Sequence, residues 1–354
     1  MRSPYSLQRK HGVKRIRQTA QDREAKRQRE QSRIKDYLAL TNVILTGKKN
    51  KDWSEDAFNL TTRILQLNPE FYTAWNYRRN IFAWINFASS HQGILKILSE
   101  DLSMTMTALK AHPKVYWIWN HRRWCLENIP DLSESDPNDN TWKKEAWDRE
   151  LFVVEKMLDS DPRNFHAWDY RRYILANMPI PRPPASELAY TSRKIESNFS
   201  NFSAWHQRSK VLSSLWESGD LDESKSKEKD RNIWCAEFEL IRNAMYTDPN
   251  DQSVWMYHRW LVGSSKSCLL VIAHHLIASV RECHCCLSSN NFNVFNIGCM
   301  ESIVCYKRML IKDHATDVDL AMLTRECNGM LQQLQELDPL RRRRYEDLVG
   351  TLLK

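Results

Sequence analysis

Glycine is scarce in this chain, only eight in 354 residues, which argues against a turn-rich β architecture and for long helices. No apolar leader opens it: Met1 to Arg17 is charged, and the longest apolar stretch, around Cys268 to Ala278, is broken by His274 and His275. Export and a membrane span are therefore not expected. Nine scattered cysteines make no disulfide framework and read as reduced thiols, so the expected compartment is the cytosol. One cluster, Cys283, His284, Cys285 and Cys286, lacks the two spaced ligand pairs of a structural zinc site, and no metal ligand is expected in this chain. A Gly-rich phosphate loop is missing too. The chain's end, Leu352, Leu353 and Lys354, offers no cysteine for lipid attachment.

Positive charge is plentiful but uneven. Residues 1 to 35 hold twelve of the 52 Lys and Arg against Asp22, Glu24 and Glu30, a balance of +9, while the remaining 40 basic and 41 acidic residues leave −1. The body is thus nearly neutral. The tail, ending in the helical run QDREAKRQREQSRIKDYLAL, reads as a solvated or subunit-docking face in preference to a nucleic-acid site.

Fourteen tryptophans are the positive signal, and five of them sit in segments that align without gaps: NPEFYTAWNYRR, HPKVYWIWNHRR, DPRNFHAWDYRR, NFSNFSAWHQRS and DPNDQSVWMYHR. Trp75, Trp119, Trp168, Trp205 and Trp255 are 44, 49, 37 and 50 residues apart, so connections vary while the local unit does not. Pro69, Pro113, Pro162 and Pro249 each stand six residues before their tryptophan, where a proline ends one helix and can begin the next. Ahead of them run apolar stripes: Ala57, Leu60, Ile64, Leu67; then Trp147, Leu151, Val154, Leu158; then Ile233, Leu240, Ala244. Each unit is helix, turn, helix, which predicts an all-α superhelical solenoid of hairpins.

Arginines follow each tryptophan at helical spacing: Arg78 and Arg79, Arg122 and Arg123, Arg171 and Arg172, then Arg208 and Arg259 singly. Scaffold is the expected role, with Trp filling the space between hairpins and Arg capping carbonyl ends or stacking on an indole. A degenerate sixth copy, LDPLRRRRYEDL, places Pro339 six residues before Tyr345 and is expected to cap the array. NIPDLSESDPNDNT, MPIPRPPAS and ESGDLDESKSKEKD read as loops. The expected organisation is a basic extension over 1–35, including the start of a helix, and one repeat domain over 36–354.

These Trp-x-x-Arg hairpins resemble the repeats of protein prenyltransferase α subunits, from about Trp53 to Val262. TDPNDQSVWMYHRWLVG, RNFHAWDYRR and NFSNFSAWH are most similar to the class that acts on Rab GTPases, and HGVKR at His11 to Arg15 resembles that class's start. The resemblance implies a heterodimer in which a crescent of hairpins wraps a β subunit that supplies zinc and the lipid pocket. The substrates it implies are geranylgeranyl diphosphate and Rab GTPases held by Rab escort protein. Larger relatives carry inserted domains after the fifth repeat, for which this chain has too few residues. By the same resemblance, Lys114, Tyr116 and His166 are candidate catalytic residues. Lys114 with Asn164, Phe165 and His166 would line the diphosphate and subunit boundary, and His166 reads equally as an interface histidine. Phe165 stands where farnesyltransferase relatives have tyrosine, so a phenolic hydrogen bond is missing there. Two alternatives stay open: the α subunit shared by farnesyltransferase and type I geranylgeranyltransferase, and a non-enzymatic helical scaffold binding peptides or RNA.

Overall fold

The structure, a computed structural model, describes residues 19–86, 90–130, 141–218, 227–248, 251–264, 297–312 and 319–352. HGVKR, the apolar stretch around Cys268 to Ala278 and the Cys283 to Cys286 cluster lie outside these. The described residues form fourteen α-helices and no strand. The chain divides into two compact units, residues 1–148 and 149–354. In the first lie α1 (Ala20–Lys49), α2 (Glu55–Leu67), α3 (Tyr72–Asn86), α4 (His91–Ala111) and α5 (Tyr116–Glu127). α6 (Thr141–Ser160) begins in that unit and ends in the second. There it is followed by α7 (Phe165–Asn177), α8 (Pro184–Ser197), α9 (Phe202–Glu217), α10 (Lys227–Thr247), α11 (Gln252–Ser264), α12 (Ile297–Lys312), α13 (Leu320–Leu337) and α14 (Arg342–Leu352).

Five hairpins, α2/α3, α4/α5, α6/α7, α8/α9 and α10/α11, are the five repeats. Side chains start the helices: Ser54 accepts from the Ala57 amide, Ser90 from Gly93, and Thr19 with Asp22 forms a reciprocal capping box on α1. In the first four hairpins the second helix is fastened by its tryptophan. The indole Nε1 of Trp75 donates to the Pro69 carbonyl at 2.9 Å, Trp119 to Pro113 at 3.0 Å and Trp168 to Pro162 at 2.8 Å. Trp205 does the same to the Phe199 carbonyl at 2.7 Å. The six-residue spacing is therefore the reach of a buried donor back to the preceding turn. A carbonyl there is what the geometry needs, since Phe199 serves as well as a proline.

Most of the expected stripes are core. Trp147, Leu151, Val154 and Leu158 are buried, as are Ala57, Ile64 and Ala244. Leu67 departs from its stripe and is 64% exposed, because it is the last residue of α2 and has passed the hairpin contact. In the run MPIPRPPAS, Met178 ends α7 and Pro184 opens α8. The degenerate sixth copy is the α13/α14 hairpin, with a 3₁₀ turn at Pro339–Arg341 and Tyr345 fully buried. The Tyr345 hydroxyl lies 2.9 Å from an Asp338 oxygen and 3.1 Å from Glu301, so a carboxylate-rich turn replaces the indole-to-carbonyl bond. α12 meets the fifth repeat closely at Gly298, where a Cβ would lie 2.6 Å from the Trp255 ring.

Candidate functional site

Burying an arginine between helices requires a carboxylate, and the repeat supplies one at a fixed place. Arg78 of α3 pairs with Asp101 of α4 through both Nε and Nη2 while its Nη1 reaches back to the Phe58 carbonyl, Thr61 and Thr62 of α2. Arg171 holds Glu187 of α8 and Glu155 of α6. Arg208 holds Glu237 of α10 and returns to the Leu188 carbonyl, Thr191 and Ser192 of α8. Each of these arginines ties its own repeat to the next. Arg122 makes the backward part of the same pattern, to the Leu102 carbonyl at 2.6 Å and to Thr105.

The acid is also gripped by its own repeat's second helix, always from a residue 20 positions later: His121 on Asp101, Tyr170 on Glu150, Gln207 on Glu187 and Tyr257 on Glu237. Carbonyl capping was expected of the arginines and is found, but the indole stacking is not their main contact. Arg78 lies over the Phe58 ring at 3.6 Å and Arg171 over Tyr190 at 3.5 Å. The second arginine of each pair is only half-buried: Arg79 reaches Asn120 and His121, and Arg172 pairs with Asp169. These acids were missed in the sequence, although an acid 18 residues before Trp119, Trp168, Trp205 and Trp255 is a readable signal.

Electrostatics make the Asp101 node a fixed charge pair beside a neutral histidine. Burial alone would raise the Asp101 carboxyl, but hydrogen bonds from Arg78 and His121 outweigh it and hold it at about 2. Burial pushes His121 down to about 4 against the pull of Asp101. Asp101, His121 and Cys125 have ligand atoms within 4.8 Å of one another. That trio does not fit a metal, because Nε2 of His121 faces Asp101 at 2.8 Å, its Nδ1 accepts from Arg79 at 3.3 Å, and Asp101 already holds a guanidinium.

Within each unit, the exposed counterpart of this scaffold is a rim where the second helices begin. Tyr72, Tyr116, Phe165 and Phe202 occupy the same place, three residues before the tryptophan, and each is at least half exposed. Lys114 lies exposed in the Pro113–Lys114 turn, and Tyr116 is the first residue of α5. The cap of α5, Val115, provides no side-chain acceptor, so the positive end of that helix and the lysine stand together. The Tyr116 ring packs edge-on against Trp117 at 5.3 Å. In the second unit, Asn164 is buried and caps α7, accepting from the amides of His166 and Ala167 at 3.0 and 3.4 Å. Phe165 is 68% exposed and its ring lies 3.9 Å from that of His166. Lys114 and Tyr116 are thus brought together at one helix start, and Asn164, Phe165 and His166 at another. Asn164 positions the other two.

The description "Protein prenyltransferase alpha subunit repeat" matches residues 54–85, 98–129, 147–178, 184–215 and 234–265, the five hairpins. Geranylgeranyl transferase type-2 subunit alpha of Saccharomyces cerevisiae is 33% identical over 96% of this chain and 98% of its own length. The Schizosaccharomyces pombe protein of that name is 34% identical over 96% and 97%. The human one is 36% identical over 72% of this chain and 42% of its own length. A solved chain from "Candida albicans protein geranylgeranyltransferase-I complexed with GGPP" shares the fold, with a TM-score of 0.62 over 90% of this chain at 22% identity. Nearly full-length likeness to the fungal proteins, laid over five matched hairpins, means that the chain belongs to the family of geranylgeranyl transferase type-2 alpha subunits, a prenyltransferase family of all-α repeat solenoids.

Proposed function

We propose that this chain is the α subunit of a heterodimer that moves a geranylgeranyl group from geranylgeranyl diphosphate to C-terminal cysteines of Rab GTPases presented by Rab escort protein, in the cytoplasm. In that reaction a carbon–sulfur bond forms as the carbon–oxygen bond breaks, and diphosphate leaves carrying the electron pair. Zinc, held by the partner β subunit, would supply the activated thiolate. This chain's contribution is electrostatic. The Lys114 ammonium, beside the uncapped start of α5, stabilises the charge growing on the leaving oxygen, and Tyr116 offers a hydroxyl donor on the same turn. Asn164 fixes the first turn of α7, where His166 stands as the other candidate group for contact with the diphosphate.

The observation that carries this reading is the exposed aromatic rim around those residues. Rings such as Tyr72, Tyr116, Phe165 and Phe202 are suited to burial against a partner subunit. Pairing tests it: the chain is coexpressed with each class of prenyltransferase β subunit and lipid transfer is assayed. Transfer to Rab with escort protein, and only with the type-2 partner, is expected. Activity on short CaaX peptides without escort protein would instead assign the chain to the shared farnesyl and type I enzymes.

A further inference from the structure

Where α12, α13 and α14 meet, the second unit holds a cavity of about 610 Å³. That size lies within the usual range for small-molecule sites. Its floor is apolar: Val304 of α12, Leu331 of α13 and Leu348 of α14 belong to the cluster packed around Tyr345. Its wall is cationic. Arg259, Arg308 and Arg344 all line it, with Lys312 beside them and a single carboxylate, Glu301, among the lining residues.

These arginines differ from those of the repeat nodes. Arg78, Arg171 and Arg208 each hold a buried carboxylate through two guanidinium nitrogens. Arg259 instead meets the Ser302 hydroxyl at 3.1 Å, and Arg308 meets Thr351 at 3.0 Å. Among the described residues, the ion pair of Arg344 is a long contact of 3.9 Å to Glu301, a carboxylate already engaged by Arg341 at 3.2 Å and by the Tyr345 hydroxyl. Their charges also act together on the Cys305 thiol, which burial raises most, which all three arginines pull down and which Glu301 pushes up. Three convergent guanidinium groups short of counter-charge, over an apolar floor, match a ligand with a polyanionic head and a hydrocarbon tail.

We propose that this cavity binds one phosphorylated amphiphile, its phosphate held by Arg259, Arg308 and Arg344 and its hydrocarbon laid on Val304, Leu331 and Leu348. The site contains none of the residues assigned to the transfer reaction above and does not depend on that reaction.

The test uses the full chain in complex with its partner subunit, labelled with dodecyl phosphate bearing a photoreactive diazirine in the tail. Labelled peptides of this chain are mapped. Labels are expected within 297–312 and 342–352, saturating at one equivalent. The double variant Arg308→Gln, Arg344→Gln should weaken labelling at least tenfold. Arg343→Gln removes one positive charge from α14 at a neighbouring residue outside the cavity lining, and should change labelling less than twofold. A further variant, Leu348→Trp, should block the tail by filling the floor while the arginines stay. Equal loss with Arg343→Gln would reduce the effect to diffuse attraction and overturn the proposal. It would also fail if labels were absent from those helices, or if inorganic phosphate competed as well as dodecyl phosphate. Binding to phosphatidic acid vesicles without labelling by the monomer would assign these arginines to a membrane surface and equally overturn it.

Discussion

Asp101, Arg78 and His121 form a buried cluster in which the histidine stays neutral at pH values where an unfolded histidine is charged. An unfolded histidine takes up a proton near 6.5, whereas His121 resists until about 4, so the folded state binds fewer protons between those values. Stability is therefore full above about pH 6.5 and falls as pH drops toward 4, by a loss on the order of 2–3 kcal/mol. His258, pushed to about 3 by burial, adds to the same slope. Asp101 acts lower, its stabilisation being lost only as pH falls from 3.8 toward 2. Repeat four uses Gln207 at the position of His121 and keeps its bond to the acid at 3.3 Å. His121→Gln should therefore flatten the dependence of Tm on pH between 6.5 and 4, and an unchanged slope would remove His121 as its source. Lys114 belongs to the same scale. Lys114→Ala should slow single-turnover transfer roughly 30- to 1,000-fold, about 2–4 kcal/mol, with subunit assembly intact. Lys114→Arg should recover only part of the rate, because a broad guanidinium does not reproduce a point charge. Replacing Lys96 or Lys110 on α4, both exposed, should do little. If Lys114→Ala chiefly prevents assembly, the residue belongs to the interface.

Between elements, the buried acid is the joint. Glu237 of α10 is gripped by Arg208 from α9 and by Tyr257 from α11, so its removal strands a buried cation. Glu237→Ala should cost about 3–5 kcal/mol in urea unfolding, and replacing Arg208 and Glu237 together by Met should recover much of it. A double variant as unstable as the single one would mean that packing, not charge, is lost. The hairpins themselves were legible, since a tryptophan, a proline six residues earlier and an apolar stripe are local signals. The joint was not found, because its partners lie 16 to 29 residues apart across variable loops: 23 for Arg78 and Asp101, 29 for Arg208 and Glu237. Leu67 misled for the opposite reason: periodicity marks a face but not where contact along it stops. At the rim, the place of Lys114 in its turn was legible from Pro113. The capping duty of Asn164 was readable in principle, as an Asn ahead of a helix, but its position in the repeat hid it.

For the molecule as a whole, the exposed rings at the starts of the second helices set behaviour in the absence of a partner. The isolated chain should self-associate in light scattering, and adding the β subunit should raise its Tm. A monodisperse monomer whose Tm ignores the partner would count against a buried rim. Elemental analysis should find no stoichiometric zinc in the isolated chain; one equivalent, lost on replacing Cys283, Cys285 or Cys286, would revive that cluster as a metal site. The joints between repeats bear on ancestry as well as on stability. Ala57 occupies the acid's place in the first repeat, which has no preceding arginine to neutralise, and His258 takes the arginine's place in the fifth, meeting the Tyr306 hydroxyl of α12. In unequal crossing-over, a duplicated segment with both ends in the loops between repeats brings one acid and one arginine, and every joint closes at once. A break between the acid and its tryptophan leaves a charge stranded inside the protein. Gain or loss of a whole hairpin should thus be tolerated where that of half a hairpin is not, because only a whole hairpin keeps every buried acid matched to an arginine.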